Sequence, residues 1–252
     1  MSQYSQFRIC IKAAFGKSMT APLERVRIIR QATDRGSKSA TSLLKEIYQT
    51  EGLYGLWRGN AINLSRVVPS YAVRFSAFGR LTDYKESYPL FNNPFVVGAL
   101  SGLASSLASY PLEVLRTRVS VAGSLWSALK QGRLFAGCSL TVIETMPYSA
   151  LSLGTYNYLS REWFEGSPTI WSSLTIGVLS GAISTSICFP IDTLRRNKMV
   201  TPADDVRKIF SRLTNNQGVI RLYRGLAIAL TKSVPTVAIT LTANQYLLDH
   251  KF

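Results

Sequence analysis

The sequence predicts an all-α membrane protein of six transmembrane helices in three pseudo-symmetric repeats, with short surface helices between the helices of each repeat. Three observations lead to this prediction: a proline–acid–base motif, a glycine landmark behind each of its copies, and long apolar runs beside both. The 252 residues carry a net charge of +15. Such a charge favours an anionic partner, but it does not choose among nucleic acid, an acidic membrane surface and an anionic solute.

The first motif places a proline, an acid two residues later and a base five residues later. Its copies read PLERVR from Pro22, PLEVLR from Pro111 and PIDTLR from Pro190. The prolines lie 89 and 79 residues apart, which sets the length of one unit. Self-similarity at such a period is the sequence signature of a repeat architecture.

A second landmark supports the same division. In each unit an aromatic residue, a variable residue and a glycine come shortly before a further proline, and the glycine precedes that proline by ten residues. The couples are Gly59 with Pro69, Gly137 with Pro147 and Gly225 with Pro235. The two landmarks together predict repeats at residues 1–92, 93–167 and 168–252.

Long apolar runs lie beside both landmarks. Residues 95–112 and 170–191 carry no charge, and each run is long enough to cross a hydrocarbon core of ~30 Å as a helix. Further runs at 61–78, 138–158 and 226–248 follow the landmark glycines. So many runs of this kind argue against an ordinary soluble helical bundle.

Pairs of glycines four residues apart occur inside two of these runs. They are Gly98 with Gly102 and Gly177 with Gly181, at matching distances before the signature prolines. Because small residues at this spacing admit a neighbouring backbone, the pairs predict close helix approach.

The polar segment between the two runs of a repeat predicts a surface helix. In the first repeat, Leu43, Leu44, Ile47 and Tyr48 have helical spacing within residues 38–49, as in an amphipathic helix on a membrane surface. Only 36 residues separate Pro111 from Pro147, so the surface helix of the middle repeat, around residues 124–130, must be truncated.

Several classes of function find no support in the sequence. Cys10, Cys138 and Cys188 are scattered and odd in number, which is neither a disulfide framework nor a metal spacing. The one histidine is His250, and no phosphate loop or nucleophile–base pattern is present. No nucleic-acid reader motif is present either. We therefore expect no catalytic residue, no cofactor, no metal site and no nucleic-acid partner, and we expect no cleavable leader at the N-terminus.

Proline-x-acid-x-x-base in three copies, each followed by the aromatic–x–glycine landmark, resembles the signature of mitochondrial carriers. The resemblance covers nearly the whole chain. It implies a transporter with one central binding site, surface helices on the matrix side and both termini facing the intermembrane space. It also implies a multi-pass monomer in the inner membrane of a mitochondrion or a related organelle.

The resemblance also implies a ring of ion pairs at the matrix end. Acid and base three residues apart share one helix face and can each reach a neighbouring helix, while proline bends each helix inward. The implied pairs are Glu24 with Arg116, Glu113 with Arg195 and Asp192 with Arg27, braced by Gln31. Because charges within a membrane are expensive, we favour a gate over pairs that only hold the bundle together.

The opposite end departs from the family. There the even helices of carriers bear an aromatic–acid–x–x–base pattern, whereas residues 78–82, 156–160 and 244–248 have no charge at the acid and base positions. We expect this end to close weakly, through polar and aromatic packing, so that the cytoplasm-open state is favoured.

The candidate substrate site lies halfway down the cavity. By resemblance it is centred three residues before each even-helix proline, at Arg66, Glu144 and Lys232. Further candidate substrate-binding residues beside these positions are Lys17, Arg74, Thr145, Tyr148 and Ser233. The clustered cations call for a small anionic substrate, and a phosphorylated one would match them. Glu144 could pair with Arg66 or Lys232, bind a cationic part of the substrate, or move a proton.

The residues around Lys17 and Pro22 are similar to adenine nucleotide carriers, and those around Arg66 and Lys232 also to coenzyme A and ATP-magnesium carriers. This implies an adenine-nucleotide-type substrate (ATP, ADP, AMP or coenzyme A), moved by alternating access and exchanged for a counter-substrate. Glu144 departs from nucleotide carriers, which leaves open an amino-acid-like or adenosyl compound such as S-adenosylmethionine. A degenerate, non-transporting membrane protein also stays open.

The landmark glycines predict sites for cardiolipin, since a helix N-terminus offers amides to a phosphate. The candidate residues are Arg58, Gly59, Gly137, Arg224 and Gly225. The copy at Gly137 lacks the base and should bind this lipid less well.

Overall fold

The computed structural model describes residues 14–33, 38–84, 88–163, 170–215 and 218–232. The first repeat opens with helical residues 14–19 and continues through four helices. These are α1 (Ala21–Ala32), α2 (Ala40–Gly55), α3 (Asn60–Ser65) and α4 (Val67–Asp83).

The other two repeats follow the same order. A 3₁₀ turn (Pro89–Asn92) ends the first repeat, and the second consists of α5 (Pro94–Ala108), α6 (Tyr110–Ala122), α7 (Leu125–Lys130) and α8 (Cys138–Trp163). The third consists of α9 (Ile170–Val200), α10 (Val206–Thr214), a 3₁₀ turn (Val219–Tyr223) and helical residues 226–232. The described part of the chain contains no β-strand, and the predicted all-α fold is confirmed.

We call the transmembrane helix with the signature proline the odd helix of each repeat, and the one after the landmark glycine the even helix. The signature prolines coincide with breaks in two of the three odd helices. Thr20 and Ser109 come two residues before Pro22 and Pro111, and both leave the helix with ψ near zero, at 1° and 2°. The hydroxyl of each donates to a carbonyl four residues back, at 3.0 and 2.9 Å. In the third repeat α9 continues through Pro190. A hydroxyl residue before the proline thus accompanies both breaks.

The first break also ties the two landmarks of the first repeat together. Because Pro22 has no N–H, the carbonyl of Ser18 loses its helical partner. That carbonyl accepts a hydrogen bond of 2.9 Å from the indole N–H of Trp57, the aromatic residue of the glycine landmark. The proline and the landmark are therefore one local structure, although 35 residues separate Pro22 from Trp57.

The landmark glycines close the three repeats into a cycle. Gly59, Gly137 and Gly225 all have positive φ, at 85°, 84° and 93°, where a side chain is strained. Each packs against the backbone carbonyl of the signature base of the following repeat: Gly59 against Arg116, Gly137 against Arg195 and Gly225 against Arg27. A Cβ would lie 3.3, 3.3 and 3.7 Å from these oxygens. Glycine is thus required by the backbone conformation and, at the first two positions, by the close approach.

The paired glycines of the odd helices have no close neighbour among the described residues. A Cβ added to Gly98, Gly102, Gly177 or Gly181 would meet none of their atoms within 4 Å outside its own helix turn. The prediction of close helix approach at these glycines therefore finds no support in the described part of the chain. These glycines lie at least nine residues before the signature proline, about 14 Å along the helix, and the repeats are joined tightly at the proline end instead.

The surface helices differ between repeats. In the first repeat, α2 buries Leu43 and Ile47 against Val26 and Ile29 of α1. In the third, α10 likewise buries apolar side chains. In the middle repeat, α7 has only six residues, which confirms the predicted truncation.

One described helix qualifies as a membrane span by its own length and composition, at Ser172–Val200 with a mean hydropathy of 1.7. The apolar helix Val96–Ala108 is shorter. Helices that line a polar cavity bear charged and polar groups on one face, which lowers their mean hydropathy.

The conformation of Gly59 generates a test of the cyclic closure. Gly59→Ala should lower the free energy of unfolding by about 2 kcal/mol, because alanine is strained at positive φ and its Cβ would also lie 2.8 Å from Ser120 Oγ. Thermal unfolding of the detergent-purified protein would measure this. Gly154→Ala in α8 is the matched control, since open space surrounds that position. Equal stability of the two variants would contradict the closure.

Candidate functional site

A ring of buried ion pairs joins the three repeats near the signature prolines. The structure contains the pairs that the sequence predicts: Glu24 with Arg116, Glu113 with Arg195 and Asp192 with Arg27. The Asp192 Oδ2–Arg27 Nη2 distance is 2.6 Å, and Arg116 Nη2 lies 3.6 Å from Glu24 Oε1. Each pair links the signature of one repeat to that of another, so the ring spans all three.

Gln31 braces the ring as the resemblance implies. Its side-chain Nε2 donates to Asp192 Oδ2 at 2.9 Å, and its backbone carbonyl accepts from Asn197 Nδ2 at 2.7 Å. The side-chain amide therefore adds a hydrogen bond to the Asp192–Arg27 pair, and both contacts tie the first repeat to the third.

Arg196 is a ring member that the sequence analysis missed. Its Nε lies 3.1 Å from Asp192 Oδ1 and its Nη2 lies 3.6 Å from Glu24 Oε1, so one guanidinium bridges acids of two repeats. The equivalent positions in the other repeats are Ile28 and Thr117. A second base directly after the signature base, in one repeat alone, was the available signal.

The three central positions of the candidate substrate site bind the ring. Arg66 Nη1 lies 2.8 Å from Glu113 Oε2, Glu144 Oε2 lies 2.8 Å from Arg195 Nη1, and Lys232 pairs with Glu24. Glu144 thus pairs with a ring arginine, a partner that the sequence analysis did not name. In each case an even helix reaches the odd helix of the following repeat. We call these three contacts the second tier.

A cavity of about 560 Å³ opens above the ring. Its lining includes Arg66, Glu144, Tyr148 and Lys232, and it also includes the buried Cys188. A smaller pocket of about 220 Å³ shares Arg66 and Lys232 with it and is also lined by Lys17, Glu24 and Arg116. Both volumes together suit a small organic molecule, whose sites in proteins are typically ~300–1,000 Å³.

A family model described as "Mitochondrial carrier protein" matches the chain three times, at residues 10–89, 88–167 and 166–251. The chain belongs to the mitochondrial carrier family. It is therefore a membrane transporter with the six-helix, three-repeat fold.

Relatives of the carrier transport different phosphorylated compounds, as their names state. The thylakoid ADP,ATP carrier protein of Arabidopsis thaliana is 30% identical over 91% of this chain and 61% of its own length. Mitochondrial thiamine pyrophosphate carrier 1 of Kluyveromyces lactis is 29% identical over 95% of this chain and 88% of its own length. Adenine nucleotide transporter BT1 of Zea mays is 29% identical over 91% of this chain and 59% of its own length. The carrier thus spans less than two thirds of the two adenine nucleotide relatives.

The charge of the cavity and its floor is strongly positive. Among the described residues that line the two pockets, seven bases face four acids, which leaves an excess of three positive charges. The bases are Lys17, Arg27, Arg66, Arg116, Arg195, Arg196 and Lys232, and the acids are Glu24, Glu113, Glu144 and Asp192. The Nε atoms of Arg27, Arg66 and Arg195 are buried without an acceptor among the described residues. Such a site is complementary to a multiply charged anion.

The remaining predicted site residues fall into three groups. Lys17 lines the smaller pocket, and Tyr148 lines the main cavity. Thr145 and Arg74 are absent from both linings: the Thr145 hydroxyl donates to Thr141 of its own helix at 2.6 Å, and Arg74 is exposed. Ser233 lies outside the described residues.

The predicted lipid sites also differ from one another. Arg58 pairs with Glu51 at 2.5 Å, so its charge is already engaged. Gly59, Gly137 and Gly225 precede the first residues of α3, α8 and the helical segment 226–232, as a helix-terminal site requires.

The two described copies of the weakened outer pattern begin with Phe78 in α4 and Tyr156 in α8. Phe78 is exposed and Tyr156 is partly buried. The third copy, at residues 244–248, lies outside the described residues.

The bridging position of Arg196 generates a prediction. Arg196→Ala should lower the free energy of unfolding by about 2 kcal/mol, since two buried acids lose a charged hydrogen-bonding partner. The apparent melting temperature in detergent measures the effect. Arg207→Ala on the exposed face of α10 is the control and should change little. A melting temperature as high as that of the control would contradict a role of Arg196 in the ring.

Proposed function

We propose that this carrier moves a phosphorylated anion of the adenine-nucleotide type (ATP, ADP, AMP or coenzyme A) across the mitochondrial inner membrane, as an exchanger with alternating access. The observation that supports this most directly is the excess of three positive charges around one cavity. A nucleotide diphosphate or triphosphate carries three to four negative charges and would neutralise that excess. The named activities of the Arabidopsis and maize relatives agree with the choice.

The second tier provides the coupling between substrate and gate. Arg66 and Lys232 are the two bases of the second tier: they line the cavity and bind the ring acids Glu113 and Glu24. Phosphate oxygens that bind Arg66 and Lys232 compete with those carboxylates. The ring then loses two of its contacts, and the matrix end opens. A ligand drives such a change only by its differential affinity for the two states, which this competition supplies.

Tyr148 is the candidate for orienting the rest of the substrate. It lines the cavity one helical turn from Glu144, and 38% of its side chain is exposed to the cavity or solvent. An aromatic ring in this position could stack on a nucleobase while the phosphates bind Arg66 and Lys232.

Glu144 favours a second candidate, thiamine pyrophosphate. That molecule combines a diphosphate with a cationic ring, and the Kluyveromyces relative is named as its carrier. The Glu144 carboxylate lines the same cavity as Arg66 and Lys232, so one molecule could meet both signs of charge. S-adenosylmethionine would use Glu144 but would leave the excess of positive charge unmatched.

The carrier is further proposed to act as a monomer with cardiolipin at the landmark glycines. Because Glu51 engages Arg58, the first landmark should hold this lipid less tightly than the sequence suggests. Gly137 has an alanine, not a base, before it and should also bind cardiolipin weakly.

A thermal-shift screen in detergent tests the ligand class. The panel contains ATP, ADP, AMP, coenzyme A, thiamine pyrophosphate, S-adenosylmethionine, phosphate and common amino acids. A ligand that binds the native state raises the free energy of unfolding by about 2.7 kcal/mol at a concentration of a hundred times its Kd. The melting temperature rises accordingly. We expect a shift with adenine phosphates that Arg66→Ala and Lys232→Ala abolish. Arg212→Ala and Lys208→Ala on α10 are the matched controls and should retain it.

Uptake into liposomes tests transport itself. The purified carrier should exchange internal for external labelled substrate, and Glu144→Gln should discriminate between the two candidates. Loss of binding for thiamine pyrophosphate with little change for ADP would select the second candidate. A folded protein that takes up no member of the panel would overturn the proposed function and favour a non-transporting protein.

A further inference from the structure

The short surface helix of the middle repeat presents its apolar side chains outward. Leu125, Trp126 and Leu129 of α7 are 49%, 69% and 42% exposed, and Ala128 is the buried residue of this helix. The surface helices of the other repeats each bury two apolar side chains in a core cluster, Leu43 and Ile47 in α2 and Ile209 and Leu213 in α10. We call the outward side chains of Leu125, Trp126 and Leu129 the α7 face.

A buried arginine fixes the orientation of this helix. The guanidinium of Arg118 in α6 is 1% exposed. It donates to the carbonyls of Ala128, Arg133 and Met199 at 3.1, 3.2 and 2.8 Å. It also donates to the carbonyl of Gly132 at 2.6 Å. These bonds hold the inner side of α7 and the turn after it against α6 and α9. The outward direction of the α7 face is thus set by the fold.

The charged residues next to the α7 face in sequence are basic. Between Glu113 and Glu144 the chain has four bases and no acid. Arg116 belongs to the ring and Arg118 is buried, so Lys130 and Arg133 are the two that lie beside the face in sequence. One of them, Lys130, lies in α7 with its Nζ 5.8 Å from the centre of the Trp126 ring. A tryptophan beside a lysine on an apolar stripe suits the boundary between acyl chains and anionic headgroups.

The position along the chain agrees with such a boundary. Helix α6 ends at Ala122 and α8 begins at Cys138, so 15 residues connect two consecutive segments of the transmembrane bundle. A connection this short keeps α7 close to the membrane edge at which both helices end.

We propose that the α7 face binds the membrane surface, with Leu125, Trp126 and Leu129 in the interfacial region and Lys130 on anionic headgroups. This contact anchors the middle repeat, whose surface helix is too short to form a core of its own. The proposal rests on membership of the carrier family and not on the choice of substrate.

Tryptophan quenching in the full-length protein tests the location of the face. The protein is reconstituted in vesicles of phosphatidylcholine with 20% cardiolipin, with or without phospholipid brominated near the headgroup. The difference between the protein and its Trp126→Phe variant isolates the emission of Trp126. We expect brominated lipid to quench this emission by at least twofold and aqueous iodide to quench it little. Trp126→Phe keeps an apolar ring, so the fold should be retained, and an unchanged melting temperature in detergent verifies this.

The role of charge is tested with Lys130→Gln in the same vesicles. Brominated-lipid quenching of Trp126 should fall in this variant, whereas Lys208→Gln on α10 should leave it unchanged. Strong iodide quenching without lipid quenching would overturn the proposal, because the face would then lie in water. Protection from both quenchers would also overturn it, since a protein surface would then cover Trp126. Quenching by lipid that is equal with and without cardiolipin would contradict the headgroup contact of Lys130.

Discussion

The buried ring of ion pairs is the interaction on which the rest of this carrier depends. Removing charges from water is expensive, and a buried pair is often no more stabilising than apolar packing would be. The ring is also incompletely neutralised, with three more bases than acids around the cavity and its floor. Two like charges 4 Å apart repel by about 4 kcal/mol at an effective dielectric constant of 20. The closed ring is therefore poised to exchange contacts when an anion arrives.

The backbone around the ring is close to threefold symmetric, whereas the side chains are not. Three glycines with left-handed φ pack against the carbonyls of three signature bases in the same way. Arg196 and Gln31, by contrast, have no counterparts that complete a threefold set, and Glu144 reverses the charge found at Arg66 and Lys232. A symmetric frame lets the repeats move together, and the asymmetric lining allows one orientation of an asymmetric solute.

The middle repeat shows how the fold accommodates a shortened connection. A full surface helix such as α2 supplies apolar side chains to the core, while α7 has too few residues to do so. The four carbonyl contacts of Arg118 replace that packing with hydrogen bonds. They leave the apolar side chains of α7 directed outward, and the lipid bilayer is the environment in which an outward apolar face is stable.

The sequence by itself determined the repeats, the all-α fold and the shortened middle connection, because recurring landmarks and apolar runs are local features of the chain. Fixed spacing placed the acid and base of each signature on one helix face, and the resemblance to mitochondrial carriers implied which acid pairs with which base. Only the tertiary structure decided that Arg66, Glu144 and Lys232 bind the ring, that Arg196 bridges Asp192 and Glu24, and that Arg74 and Thr145 stay outside the cavity lining. The same holds for the glycine pairs of the odd helices, which have no close neighbour among the described residues. Spacing gives the direction of a side chain about its own helix. The partner that it meets depends on how far neighbouring helices stand apart, which the packing of the whole bundle sets.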